Sequence, residues 1–85
     1  MDQSQYSHLT ITSVIASFDS EGHMKPLYIR IDGSSFKVHS SYVKSCHSGI
    51  VEFSCQIVDR EYLKPLTLTY FPHDRIWAIP KNPIY

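Results

Sequence analysis

The chain has 85 residues, which is enough for one domain with one hydrophobic core and too short for two. It carries 8 Lys plus Arg and 8 Asp plus Glu, so its formal net charge is zero. The chain therefore lacks the excess of basic residues that general nucleic-acid binders have. No apolar run approaches the ~20 residues that a transmembrane helix needs, so none is predicted.

The two ends of the chain and its cysteines predict the compartment and the domain limits. The polar N-terminus lacks the basic and apolar regions of a signal peptide, so we expect a cytoplasmic protein with reduced Cys46 and Cys55. Residues 1–8 are expected to be a flexible segment before a single β domain at 9–80. The proline-containing residues 81–85 are expected to be a C-terminal tail.

The first predicted strand spans residues 9–18. Its apolar side chains change parity near Ser13, which predicts a bulge or bend there. The sequence Asp19-Ser20-Glu21-Gly22 then predicts a turn, because an Asp side chain can accept a hydrogen bond from the backbone two residues on, and Gly adopts positive φ at no steric cost.

A β-hairpin is predicted next, with strands at 27–31 and 36–40 around Asp32-Gly33, a strong hairpin-turn signal. Loops of two or of four residues both place apolar side chains opposite one another, so either register is open. The outward side chains of this hairpin are basic or aromatic: Tyr28, Arg30, Lys37 and His39.

The second half of the chain predicts three more strands. Residues 41–49 are expected to form a polar connection with room for one helical turn around Tyr42-Val43. Strands at 50–58, 66–70 and 76–79 follow, the last of which contains Trp77. Six short strands in an antiparallel meander predict an all-β domain, and we favour an SH3-like partly closed barrel over an OB-like barrel or a curled open sheet.

The residues that could carry catalysis or hold a metal show no supporting pattern. The five His and two Cys lack the paired spacing of zinc ligands, so no metal and no cofactor is predicted. Cys55 is in phase with apolar neighbours and is expected to be buried, whereas the reactivity of Cys46, beside His47, stays open. The sequence has no nucleophile motif and no Gly-rich phosphate loop, so we expect a protein that is not an enzyme.

Two surfaces remain as candidates for binding. Exposed aromatic side chains favour protein partners or self-association, because Tyr and Trp are enriched at interfaces and a neutral protein repels its copies weakly. A role for Trp77 in plugging the barrel end is the alternative. The second candidate is nucleic-acid or anion binding by the outward face of the hairpin, since Arg and aromatic side chains bind phosphates and bases. The aromatic set comprises Tyr42, Tyr62, Phe71, Trp77, Ile84 and Tyr85.

Two short motifs give the chain a recognisable pattern. An F-D-x-x-G turn at residues 18–22 precedes P-L-x-I-R at residues 26–30, with Phe36-Lys37-Val38 and a late Trp77 following. This pattern resembles a group of short bacterial proteins of unknown function. The resemblance implies a bacterial intracellular source and a compact β domain, but supplies no catalytic residue or ligand. Arg30, the outward residue of the match, is our first choice for a functional side chain.

Overall fold

The computed structural model describes residues 9–81, which form one antiparallel sheet. The sheet has seven strands in the order β1-β7-β6-β5-β4-β3-β2 and curls into an open half-barrel. The predicted all-β meander is therefore confirmed, and its closure is that of a curled open sheet. The predicted segments at 1–8 and 82–85 lie outside the described residues. The strands are β1 (Leu9–Thr12), β2 (Val14–Phe18), β3 (Met24–Ile31), β4 (Ser34–His47), β5 (Ile50–Asp59), β6 (Tyr62–Phe71) and β7 (Ile76–Pro80).

The first predicted strand is divided in two at Ser13. β1 pairs with β7 whereas β2 pairs with β3, so the two halves lie at opposite edges of the sheet. The backbone of Arg30 holds the bend, because its N–H donates to the Ser13 carbonyl at 2.9 Å and its carbonyl accepts the Thr12 hydroxyl. The predicted bend near Ser13 is confirmed, and it joins the outermost strands of the curled sheet.

The predicted β3–β4 hairpin has a two-residue loop. Ile29 lies opposite Phe36, and the loop residues Asp32 and Gly33 both have positive φ, at 49° and 82°. This conformation belongs to a type I′ turn, whose twist matches that of the flanking strands. The structure thus selects the shorter of the two loops that the apolar pattern allowed.

The prediction of a polar connection at 41–49 is wrong. β4 continues as a strand to His47, and Ser48 and Gly49 form a second two-residue turn that places His47 opposite Ile50. Pairing with β5 supplies the backbone hydrogen bonds that make this serine-rich stretch extended, although its side chains carry little apolar pattern. β4 is therefore 14 residues long, and the seventh strand within residues 9–81 comes from the division of the first predicted strand at Ser13.

The hydrophobic core lies on the concave face of the half-barrel. β5 and β6 form its centre, where Phe53 lies opposite Leu68 and Cys55 opposite Leu66. Full burial of an aliphatic or aromatic side chain of this kind stabilises a fold by about 1.5–3 kcal/mol. The described part of the chain contains no helix that could cross a membrane. The buried core cluster comprises Ile29, Phe53, Cys55, Ile57, Leu66, Leu68 and Ile79.

Candidate functional site

The predicted basic-aromatic strip lies on the outer face of the β3–β4 hairpin. Tyr28 lies directly opposite Lys37, and Arg30 lies opposite Ser35. A small cavity of about 120 Å³ lies beside this face, with Ser13, Tyr28, Arg30 and Ser35 among its walls. Three of the four predicted residues are therefore neighbours on one face.

His39, the fourth residue of the strip, occupies a different position. It is the extra residue of a β-bulge, because Val38 lies opposite Ile57 and Ser40 opposite the next residue of β5, Gln56. The residues from Val38 onward are not in register with β3, so His39 is offset from the Tyr28 and Lys37 pair. The strip is consequently shorter than the alternating pattern predicts.

The predicted aromatic patch is dispersed. Tyr42 lies in the middle of β4 opposite Ser54, whereas Tyr62 lies at the start of β6 beside the β5–β6 turn. The Trp77 ring packs on the core, with its centroid 5.9 Å from that of Phe53 and 4.6 Å from that of Tyr70. Phe71 is only half-buried. Ile84 and Tyr85 lie outside the described residues, and the four described members of the set share no common surface.

A stretch of β4 that has a partner strand on one side only is the feature that the apolar pattern did not predict. β3 and β4 are in register only as far as the Tyr28 and Lys37 pair, so within residues 9–81 the stretch 38–47 pairs with β5 alone. Bulges at His39 and Lys44 interrupt the ladder, and bulges bend and twist a strand away from its neighbour. We call residues 38–47 the β4 edge. The backbone N–H and C=O groups on its β3 side face no paired strand within residues 9–81, as in an edge strand.

An apolar groove runs beside the β4 edge on the concave face. It has a volume of about 370 Å³ and is open to solvent. Phe18 and Met24, which lie opposite one another at the ends of β2 and β3, form one wall. The name apolar groove is kept below for this cavity. Its remaining apolar lining comes from Val43, Cys46, Val51, Phe53, Tyr70 and Pro72.

The β4 edge exposes large side chains on both faces of the sheet. Val43 points into the apolar groove and is 54% exposed, although it lies opposite the buried Phe53. Its neighbour Tyr42 points to the outer face and is 66% exposed. A ligand confined to the groove would cover Val43 and leave Tyr42 in water, whereas a strand added to the edge would flank both.

The β4 edge is nearly free of charge. Lys44 is its one Lys, Arg, Asp or Glu residue, and its ammonium group lies 4.0 Å from the carboxylate of Glu52 on β5. Ser45 contacts the same carboxylate at 3.4 Å. The edge therefore presents mainly neutral polar and apolar groups to an approaching chain.

The two cysteines have different environments. Cys55 is 1% exposed, which confirms the predicted burial, and desolvation raises the pKa of its thiol to about 11. It is therefore a packed side chain with little thiolate character. Cys46 is exposed at the apolar groove. Within the described range, 9–81, no three His, Cys, Asp or Glu side chains come together as metal ligands could.

One further sequence signal indicates the full length of β4. Ser48-Gly49 is a dipeptide that favours turns, and a two-residue loop there pairs the preceding residues with the predicted strand at 50–58. Phe18, by contrast, reaches the apolar groove only because the sheet curls, and no local pattern reports that.

Comparison with known proteins adds no relative. No protein-family model, curated protein or solved structure matches the chain. The resemblance to short bacterial β proteins stays a prediction, and the function must be argued from the geometry of the β4 edge and its groove.

Proposed function

We propose that this domain is a non-enzymatic protein-binding module that captures an extended protein segment along the β4 edge. The observation that carries the proposal is the exposure of Tyr42 and Val43 on opposite faces of the β4 edge, which pairs with β5 but not with β3. A bound strand would take up the free backbone groups of the edge and place alternate side chains in the apolar groove.

The energetics of strand addition suit this site. Each main-chain hydrogen bond contributes about 0.5–1.5 kcal/mol net, and apolar side chains entering the groove add the free energy of burial. Because Lys44 is engaged by Glu52, the edge favours a partner segment with few charges. A bacterial cytoplasm, where Cys46 would stay a thiol, is the proposed setting.

Nucleic-acid or anion binding is the second candidate function. The direct pairing of Tyr28 with Lys37, next to Arg30, favours it, because a ring and two cations on one face can contact a base and its phosphates. The zero net charge works against it. Binding of this kind would weaken steeply as salt is raised, whereas strand addition would not.

The proposal is tested with a displayed library of random extended peptides selected on the full chain. We expect the selected peptides to alternate apolar and polar residues and to slow hydrogen exchange of the β4 amides. Val43→Lys should weaken their binding by about tenfold or more, since it places a charge at the mouth of the groove. Leu63→Lys, at a site that is 48% exposed on β6, is the matched control and should leave binding unchanged.

Two results would contradict the proposal. One is a set of peptides that binds Val43→Lys as well as the wild type. The other is retention of a labelled single-stranded oligonucleotide that is lost with rising salt and with Arg30→Ala, because it would favour the basic-aromatic face instead.

A further inference from the structure

We infer that the strand which binds the β4 edge is β4 of a second copy of this chain, so that the protein is a two-fold symmetric dimer. The inference rests on the proposed function and adds the identity of the partner. It is argued from the charge, the register and the remaining edges of the sheet.

The charge of the chain permits close approach of two copies. Each copy carries 8 basic and 8 acidic residues, so there is no net repulsion between them. Sheets that stay monomeric protect their edges with proline, with charged side chains or with bulges, and the bulges at His39 and Lys44 leave residues 40–43 as the regular part of this edge. The β4 edge contains no proline, and Lys44, its one residue of the Lys, Arg, Asp and Glu types, lies 4.0 Å from Glu52.

The bulges at His39 and Lys44 select the register of such a dimer. Regular pairing is available between them, over residues 40–43. Opposite residues of an antiparallel pair share a face, so a two-fold axis perpendicular to the sheet must pass midway between the two copies of one residue. An axis at Tyr42 places the two Tyr42 rings side by side on the outer face. It also sets Ser41 of each copy against Val43 of the other beside the grooves, and it keeps the two Lys44 side chains apart.

This register turns the exposed residues of the edge into an interface. Cross-strand aromatic pairs contribute about 0.2–1 kcal/mol beyond an Ala pair, and Val43 and Tyr42 would both lose solvent contact. The two concave faces would lie on the same side of one continuous sheet, so the apolar grooves would flank the two-fold axis.

Growth beyond two copies is limited by the other edges. β1 and β2, the outermost strands, have 4 and 5 residues and are joined through Ser13. An isologous contact through β4 consumes the same edge in both copies and therefore closes. The dimer is expected to be the end state rather than the start of a fibre.

The mass of the full chain in solution is the first measurement, by light scattering after gel filtration over a wide range of concentration. We expect a dimer that dissociates on dilution. Val43→Lys should weaken the association by about tenfold or more, and Leu63→Lys should leave it unchanged. Amide NMR spectra of both variants verify that the monomer remains folded.

Disulfide cross-linking tests the register directly. In a Cys46→Ser background, Tyr42→Cys places two thiols across the two-fold axis, where paired Cβ atoms come close enough for a bridge. Mild oxidation should then give a covalent dimer. Tyr62→Cys is the matched control, since its site is 69% exposed against 66% for Tyr42, and it should stay monomeric.

A wild-type chain that is monomeric at every concentration would overturn the inference, as would cross-linking at Tyr62 in place of Tyr42. If that monomer still binds the selected peptides along β4, the proposed function stands and only the identity of the partner is wrong. If it binds no peptide, both fail.

Discussion

Asp19 holds the turn between β2 and β3 through its side chain. One carboxylate oxygen accepts the N–H groups of Glu21 at 2.9 Å and of His23 at 2.8 Å, and the Asp19 carbonyl accepts the N–H of Gly22. This is the turn that the F-D-x-x-G sequence predicts. The N–H of His23 is the main cause that lowers the pKa of Asp19 below its ordinary value of 3.8.

The lowered pKa of Asp19 fixes the direction of its pH dependence. Because the pKa is lower in the folded state, the carboxylate contributes stability that is fully present above pH 3.8 and is lost as the pH falls through the folded-state value. We therefore expect Asp19→Ala to be less stable than the wild type at pH 7, and the gap to narrow in acid. Urea denaturation between neutral and acidic pH measures both. Asp19→Asn keeps an oxygen acceptor and isolates the charge, and a gap that is independent of pH would contradict the prediction.

Arg30 shows that a motif residue can act through its backbone. Its N–H and carbonyl bond to Ser13 and Thr12 at the bend between β1 and β2. Any residue except proline could make these bonds, whereas the exposed guanidinium group remains the candidate for anion binding. The position of Arg30 in P-L-x-I-R thus has a structural use besides the functional one that we predicted.

The β3–β4 hairpin is the element that the sequence specifies most fully. Its turn needs positive φ at Asp32 and Gly33, and its strands place Ile29 opposite Phe36. Asp-Gly favours a two-residue turn, and the apolar alternation is compatible with the register that such a turn gives, so local and cross-strand preferences agree.

Substitution of Gly33 tests how much this turn contributes. A Cβ at Gly33 would meet no atom within 4 Å, so the cost of Gly33→Ala is that of the backbone conformation alone, about 1 kcal/mol. Thermal or urea unfolding should show this loss. Asp32→Asn should show none, because Asn-Gly suits the same turn. Equal stability of Gly33→Ala and the wild type would argue against the I′ turn.

β4 is the element whose extent the apolar pattern of the sequence did not specify. Its stretch 40–48 is rich in Ser and has large apolar side chains only at Tyr42 and Val43, on opposite faces. Two bulges also disturb the alternation. The strand exists because β5 offers it a ladder of hydrogen bonds, which is a tertiary influence that outweighs local pattern.

The whole molecule depends on a small core. A domain of this size is expected to have about 4–13 kcal/mol of stability, from ~0.05–0.15 kcal/mol per residue. Leu68 is fully buried and lies opposite Phe53 of β5, so the loss of its side chain removes a large share of that total.

Leu68→Ala is expected to lower the free energy of unfolding by about 3 kcal/mol, through lost burial and the cavity left behind. Leu63→Ala, at an exposed leucine of the same strand, should change it by less than about 0.5 kcal/mol. The midpoints of urea denaturation measure both. A similar loss for the two variants would contradict the placement of the core on one face of β6.

The sequence by itself determined the fold class, the bend at Ser13, the turns at Asp19 and Asp32-Gly33 and the burial of Cys55, and it limited the β3–β4 register to two choices. Each of these depends on local conformational preference or on the two-residue period of a strand, which sequence displays directly. The tertiary structure alone decided which of those registers forms, the lack of a partner for residues 38–47 on their β3 side within the described chain, the core position of Trp77, and the meeting of Phe18 with Val43 at the apolar groove. These features depend on how the sheet curls and on where neighbouring strands stop pairing. The contacts that produce them join residues far apart in the chain, and no local sequence pattern reports such contacts.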